Sequence, residues 1–454
     1  MTEKGANNGG KPTVGVVSLG CDKNRVDTEN VLASLEAAGY RIVQNASEAD
    51  VLMVNTCAFI TTAIRESIDT VLELAAEKAK RKNVKLMVLG CFTERFAEET
   101  ASELPEVDAF VGINCYHRIA EITDAVRAGT AERIYIEKTF TPYKRERVLT
   151  TPAHYAYLKI ADGCDNFCTY CAIPYIRGRY RSYPIEELAG EAERLKAEGV
   201  KELILVAQDT TRYGKDLYGE YALKRLLKEL LKIGFWKIRI MYAYPELVDD
   251  GLIEMIAREK GIAKYIDIPL QHVNDGVLKR MNRHTDGNEV RALIKRIEAS
   301  GADIAVRSTF IVGFPGESEE DFAELEDFVK EGRINYAGFF AYSRETGTPA
   351  YKMTPRVPYK VRKKRENALS KIQCAVVEAR HADYLGKEVE VVYEGIDYAK
   401  NKFYGRTERN APEIDTKVYF TSDFPLDVGE IYKVKITKTG FNLFGETVAE
   451  EENG

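Results

Sequence analysis

Residues 163–171 read "GCDNFCTYC", which places Cys164, Cys168 and Cys171 in a C-x3-C-x2-C spacing. The stretch follows an apolar run, Tyr155 to Ala161, with the composition of a strand. Five more such runs come after it: Glu202 to Ala207, Lys237 to Ala243, Lys264 to Pro269, Ile304 to Val312 and Tyr336 to Tyr342. Amphipathic stretches such as "PIEELAGEAERLKAEG" separate them, so the pattern predicts six βα units. Six are too few for a closed eight-stranded barrel and suit a partial (βα)6 barrel, whose reactive face lies at the strand C-termini. The three cysteines stand on that face. A structural zinc site takes four protein ligands, so three sulfurs leave one position for something else.

A second set of cysteines lies upstream. "TVGVVSLGC", "ADVLMVNTC" and "VKLMVLGC" each read as a strand ending at a cysteine, and "DAFVGI" as a fourth strand, with helical stretches between them. This alternation predicts a parallel α/β domain over 12–129. Ligands of open α/β sheets bind at the carboxyl ends of the strands. Cys21, Cys57 and Cys91 can therefore converge there, whereas any one alone reads as a buried structural thiol. Cys115 and Cys374 fall outside both patterns and read as ordinary thiols.

The remaining organisation follows from composition. Residues 1–11 form a polar tail, and the charged, proline-punctuated 130–152 reads as a linker to the partial barrel of 153–382. Short strands with Gly and Asn between them predict a small antiparallel β-barrel over 383–449, before an acidic tail at 450–454. That last barrel reads as a binding module whose removal leaves the catalytic unit working. It carries 12 Asp/Glu against 9 Lys/Arg, and Glu388, Glu390, Glu394, Asp423 and Asp427 read as a surface for a basic partner.

The 454 residues carry a formal net charge of −6, which argues against a surface built mainly for nucleic acid. The uncharged run Val51 to Ile64 is shorter than the roughly 18–20 residues that span a bilayer, and no export signal opens the sequence. A soluble, cytoplasmic protein with reduced thiols is expected, with no membrane partner.

With its three-cysteine motif after the first strand of a partial barrel, the chain resembles the radical S-adenosylmethionine (SAM) enzymes. In these a 4Fe-4S cluster on three thiolates leaves one iron open to SAM, whose cleavage yields a 5′-deoxyadenosyl radical. "IVGFPGESEEDF" resembles the segment that contacts the SAM nucleoside, which implies Gly313, Gly316 and Glu317 as cofactor contacts and Glu317 as the opening of the next helix. "VAQDTTRYG" implies Gln208 and Asp209 near the SAM amino group. A plain βα turn with a capped helix is the ordinary reading of the former segment.

Together with "SLGCDKNRVDTEN", "NTCAFI" and "LGC", the chain resembles the radical SAM methylthiotransferases over about residues 12–449. That implies a second 4Fe-4S cluster on Cys21, Cys57 and Cys91, and a C-terminal TRAM-like barrel. "LILVAQDTTRYG" and "VRSTFIVGFPGES" are similar to the protein-modifying branch. It uses two SAM to add a methylthio group to the β-carbon of an aspartate in small-subunit ribosomal protein S-twelve, possibly on the ribosome, with an electron donor such as flavodoxin or ferredoxin. The tRNA-modifying branch is the alternative, and a two-cluster electron-transfer or scaffold protein the alternative of another class. His272, after the fourth barrel strand, reads equally as facing the reactive end or as packed.

Overall fold

The computed structural model describes residues 12–142 and 145–449, and both predicted tails lie outside them. Two compact units form. The first takes residues up to Thr150 together with Ala172–Gly178; the second takes Thr151–Cys171 and Arg179 onward. Among the described residues no helix is long and apolar enough to cross a membrane.

In the first unit six strands make one parallel sheet: β1 (Thr13–Ser18), β2 (Arg41–Val43), β3 (Val51–Thr56), β4 (Lys85–Gly90), β5 (Ala109–Val111) and β6 (Ile134–Tyr135), ordered β2-β1-β3-β4-β5-β6. Helices α1 (Asp22–Ala37), α2 (Thr61–Ala79), α3 (Cys91–Thr100) and α4 (Ile119–Ala128) cover it, and apolar cores form in two clusters. β3 is buried at every residue, as expected of a parallel strand with both faces packed.

The short β2 and β6 escape a pattern search because two or three residues carry no periodicity. β6 lies inside the segment expected to be a linker. Further along that segment, the Thr150 amide and hydroxyl each donate to buried Glu29 at 2.8 Å, and Arg147 pairs with the same carboxylate. Residues 130–152 are thus partly built into the first unit.

Residues 172–178, inside the range 153–382, group with the first unit. Helix α5 (Ile173–Arg177) lends Ala172 and Ile176 to a first-unit core cluster. Burying a side chain such as Ile176, 3% exposed, contributes roughly 2 kcal/mol.

The second unit holds a six-stranded parallel sheet in sequential order: β7 (Tyr155–Lys159), β8 (Glu202–Val206), β9 (Lys237–Ile240), β10 (Ile262–Asp267), β11 (Ala305–Val312) and β12 (Tyr336–Ala341). No pairing joins β7 to β12, as the partial (βα)6 barrel requires. Helices α6 (Glu319–Lys330) and α7 (Tyr359–His381) follow β11 and β12.

A closed barrel comes next, of β13 (Glu388–Asp397), β14 (Lys402–Arg406), β15 (Val418–Thr421), β16 (Ile431–Lys438) and β17 (Leu443–Thr447), ordered β13-β14-β15-β17-β16. Its pairings are antiparallel except β15 with β17, which run parallel.

This small barrel is not a detachable module. Its residues 406–416 meet residues on four strands of the partial barrel. Arg406 pairs with Glu202, the first residue of β8, and donates Nε to Glu394 at 2.6 Å; Glu202 also accepts from Arg239 Nε at 2.7 Å. The Tyr265 hydroxyl donates to Asp415 at 2.7 Å, and Lys237 pairs with Glu408 at 2.7 Å. Arg307, whose place in "VRSTF" resembles the protein-modifying branch, donates to Asp267 at 3.0 Å and lies 3.5 Å from Asp415.

Three of the five acids expected to await a basic partner face cations of the fold. Glu394 faces Arg406 and His154, and Glu388 and Glu390 stand opposite Lys435 and Lys433 in the β13–β16 ladder. Cross-strand opposite charges stabilise a sheet, so these three acids have roles within the fold, while the module as a whole stays net acidic.

Candidate functional site

The first cysteine triad lies at the carboxyl ends of three adjacent strands. Cys21 follows β1 and precedes α1, Cys57 follows β3, and Cys91 opens α3 after β4. Gly20 permits the approach. It adopts φ 89°, and a Cβ there would fall 2.7 Å from the Cys57 Cβ.

Polar residues buried on α1 and α2 hold the loops. Asn24 Nδ2 donates to Leu19 O at 2.7 Å, and Ser67 both donates to the Cys57 carbonyl (2.9 Å) and accepts from its amide (3.1 Å). Arg177, from α5, is buried and reaches the same place: its guanidinium lies 2.9 Å from Asp27 and 3.6 Å from the Cys91 sulfur. Burial pushes the Cys91 thiol up to about 12, with Arg177 opposing, and raises Cys57 as well. Metal binding at these sulfurs must therefore displace protons, and the fixed cation eases that step.

The second triad lies after β7. Cys164 and Cys168 are buried and Cys171 is half-buried. Burial pushes the Cys164 thiol up to about 12. Phe167, between the ligands, has φ 46°, and Asn282 Nδ2 donates to its carbonyl at 3.1 Å.

Asp209 organises the loop. It accepts from Asn166 Nδ2 (3.0 Å), Thr211 Oγ1 (2.7 Å) and the Arg212 amide (3.1 Å), while Arg212 donates to Asn166 Oδ1 at 2.7 Å. Its oxygens are thus engaged in positioning the cysteine loop. Gln208 differs, for its buried Oε1 has no hydrogen-bond partner among the described residues. The same holds for Gln271 Oε1, after β10 at φ 70°. Two buried acceptors without donors near the strand C-termini fit a ligand that donates hydrogen bonds.

Gly313 and Gly316 stand in the turn after β11, both at positive φ, and a Cβ at Gly313 would meet Arg362. Glu317 does not open the next helix. Ser318 caps α6 in a capping box with Asp321, while the Glu317 carboxylate accepts from the amides of Gly313 (2.7 Å) and Phe314 (3.1 Å) and from Arg365 (2.5 Å). It braces the turn from inside. His272 is fully buried, its Nδ1 accepts from the Asn274 amide at 3.0 Å, and burial lowers its pKa to about 3. A neutral, packed histidine results, its Nε2 3.8 Å from the Glu317 carboxylate.

Some residues at the site carry no signal in the sequence. The Tyr244 hydroxyl lies 3.5 Å from the Cys168 sulfur, and Arg283 sits 4.2 Å over the Tyr244 ring with Nη1 3.8 Å from that sulfur. Arg283 and Arg177 each bring a cation from a distant part of the chain to a cysteine. Cys115 is buried in a first-unit core cluster and Cys374 is exposed on α7; neither joins a triad.

The six sulfurs and no other donor type at the two triads suit iron–sulfur ligation. Among the described residues no trio of His, Cys, Asp or Glu closes on a single metal ion, and a multi-iron cluster needs its thiolates set further apart.

Comparison with known proteins agrees with this layout. Residues 158–329 match the Radical SAM superfamily, 13–112 the uncharacterized protein family UPF0004, and 385–448 the TRAM domain. A Thermoanaerobacter sp. protein described as "Ribosomal protein uS12 methylthiotransferase RimO" is 46% identical over 437 residues, covering 95% of this chain and 99% of the relative. Its Acetivibrio thermocellus counterpart, of the same description, is 44% identical over 450 residues, covering 97% and 99%.

In fold the chain is similar to the radical SAM methyltransferase TsrM of Kitasatospora setae, with TM-score 0.57, 14% identity and 74% of each chain covered. That likeness speaks for fold alone. With identity at this level along nearly its whole length, the chain belongs to the RimO family of radical SAM methylthiotransferases.

Proposed function

We propose that this protein adds a methylthio group to the β-carbon of an aspartate in small-subunit ribosomal protein S-twelve, using two SAM and two 4Fe-4S clusters. The observation that supports the reading is the pair of three-cysteine sets at strand C-termini, in a chain 46% identical over 95% of its length to a relative described as a ribosomal protein uS12 methylthiotransferase. Cys164, Cys168 and Cys171 would hold the SAM-binding cluster, and Cys21, Cys57 and Cys91 the second. When bound, these groups supply one-electron cleavage of SAM, a radical able to take hydrogen from an unactivated carbon, and the sulfur to be transferred.

The chain's own residues then have defined tasks. Asn166, Asp209 and Arg212 fix the cysteine loop, Gln208 and Gln271 offer buried acceptors, and Gly313 admits a close backbone approach. Arg283 and Arg177 place positive charge beside the thiolates. None of these groups needs to move a proton. Electrons would come from a small one-electron donor such as flavodoxin or ferredoxin.

The test uses anaerobically reconstituted full-length protein, expected to hold about eight irons as two four-iron clusters. Changing Cys164, Cys168 and Cys171 together to Ala should leave about four irons and abolish SAM cleavage. Changing Cys21, Cys57 and Cys91 should also leave about four but keep SAM cleavage while ending methylthiolation. Mass analysis of S-twelve and of anticodon-stem RNA decides the substrate. Product on RNA alone would overturn the reading in favour of the tRNA branch, and no SAM cleavage by the intact protein would favour an electron-transfer role.

A further inference from the structure

The second unit carries a run of positive charge with no acid in it. From Thr346 to Arg365 the sequence has seven Lys or Arg and no Asp or Glu, in a chain whose net charge is −6. Three of the seven are used by the fold: Arg365 pairs with Glu317, Lys363 with Glu366, and Arg362 donates to the Tyr342 carbonyl. Lys352, Arg356, Lys360 and Lys364 are exposed and have no carboxylate partner among the described residues. Some exposed cations elsewhere in this unit have one, as Lys224 with Asp249 and Lys232 with Glu229, but here four without one fall within thirteen residues. The first turn of α7 also lacks an acid, although the helix dipole favours one there. The charge therefore gains nothing from local structure.

The segment lies at the reactive end of the partial barrel. The Ala350 amide donates to Thr169 O, inside the cysteine loop, at 2.8 Å, and the Gly316 amide donates to Pro355 O at 2.8 Å. Ala350 and Met353 pack with Phe314, Tyr342 and Tyr170. Aromatic surface is interleaved with the cations. The Arg344 guanidinium lies 3.7 Å over the Tyr351 ring, and Tyr359 is 64% exposed. Unpaired cations beside an exposed tyrosine suit a phosphate backbone with a base that can stack. They do not suit a basic protein, which such a rim repels.

We infer that residues 346–365 form a docking surface for RNA that lies beside the protein substrate, so that S-twelve is presented to the enzyme together with ribosomal RNA. This rests on the function proposed above. It accounts for a cationic rim at the mouth of an enzyme whose substrate is itself cationic: the attraction is to the RNA that accompanies that substrate.

The test is fluorescence anisotropy of full-length reconstituted protein with a short labelled single-stranded RNA. Four phosphate contacts predict a log–log salt slope of about −3, or about 50-fold weaker binding between 50 and 200 mM salt. The variant Lys352→Glu, Arg356→Glu, Lys360→Glu, Lys364→Glu should bind at least tenfold more weakly and lose most of that slope. A Gln set at the same positions, with an unchanged melting curve, guards against misfolding. Wild-type affinity and slope in the folded Gln variant would overturn the inference. So would displacement of the RNA by polyglutamate at equal charge concentration, which would assign the rim to an acidic protein.

A second arm compares methylthio product on free S-twelve and on assembled small subunits. The wild type should favour the subunits, and the Gln variant should lose that preference. An unchanged preference counts against the inference. Absence of product on both substrates with the wild type overturns the proposed function and leaves the RNA measurement to decide the rim independently.

Discussion

Replacing Arg406 with Met tests whether the small barrel is a structural part of the second unit. The Arg406 side chain is 2% exposed and is shared by Glu202 and Glu394, 1% and 13% exposed. Methionine fills most of the stem's volume but withdraws the guanidinium, so Glu202 keeps Arg239 and Glu394 keeps only His154. Breaking a buried ion pair from one side costs about 3–5 kcal/mol, against about 0–1 for an exposed pair. At about 2–4 °C per kcal/mol for a unit of this size or somewhat smaller, the melting temperature should fall on the order of 10 °C.

The assay is thermal unfolding of cluster-free protein followed by circular dichroism. Lys433→Met on the exposed face of β16 serves as the control, with little effect expected. Adding Glu394→Gln to Arg406→Met should recover part of the loss by removing one uncompensated charge, and truncation at residue 383 should do more damage than Arg406→Met. Acid supplies a check on the cause. Burial by itself would raise the Glu202 carboxyl, but Arg239 and Arg406 outweigh it and hold the pKa below the ordinary 4.5. Its contribution is then full above about pH 4.5 and is lost as pH falls through the lowered value, so variant and wild type should converge in acid. An Arg406→Met protein that melts within about 2 °C of wild type at neutral pH would refute the reasoning.

Two further outcomes are expected. Burial raises the Glu94 carboxyl to about 7 against the Ile113 amide and Arg177, so folding stability is fully supported below about pH 4.5 and falls as pH rises towards 7. Glu94→Gln should remove that slope and gain on the order of 3 kcal/mol over wild type at pH 8, read by urea unfolding at pH 5 and 8; equal differences at both would contradict it. Arg177→Met withdraws the guanidinium from Asp27 and Cys91 and should lower first-triad iron loading along with a stability loss of about 3–5 kcal/mol. Arg177→Lys should fall between, and full iron content in the Met variant would count against a role at the triad.

The βα cadence was legible because parallel strands buried on both faces read as unbroken apolar runs, as in β3 and β8. The cysteine sets were legible because chemistry concentrates them at strand ends. What escaped was interaction across long sequence separations. Arg177 reads as one more residue of a barrel loop, and nothing local announces that it enters the first unit beside Cys91. Asp209 and Glu317 brace loops through hydrogen bonds that no motif encodes. The acids of β13 looked available to a partner because a charge count gives no register, and only the strand pairing puts Lys433 and Lys435 opposite Glu390 and Glu388.

The excursion of residues 172–178 sets an order in the making of the protein. A ribosome delivers the chain N-terminus first, and the last strand of the first sheet is complete at Tyr135. Two of its core side chains, and the cation beside Cys91, arrive only with Ala172, Ile176 and Arg177. By then Cys164, Cys168 and Cys171 have already been synthesised. The first unit gains its last core side chains only when all six cysteines exist on the nascent chain. A chain released before residue 172 is left with an unsealed apolar face, a mark for proteolysis instead of a half-equipped enzyme.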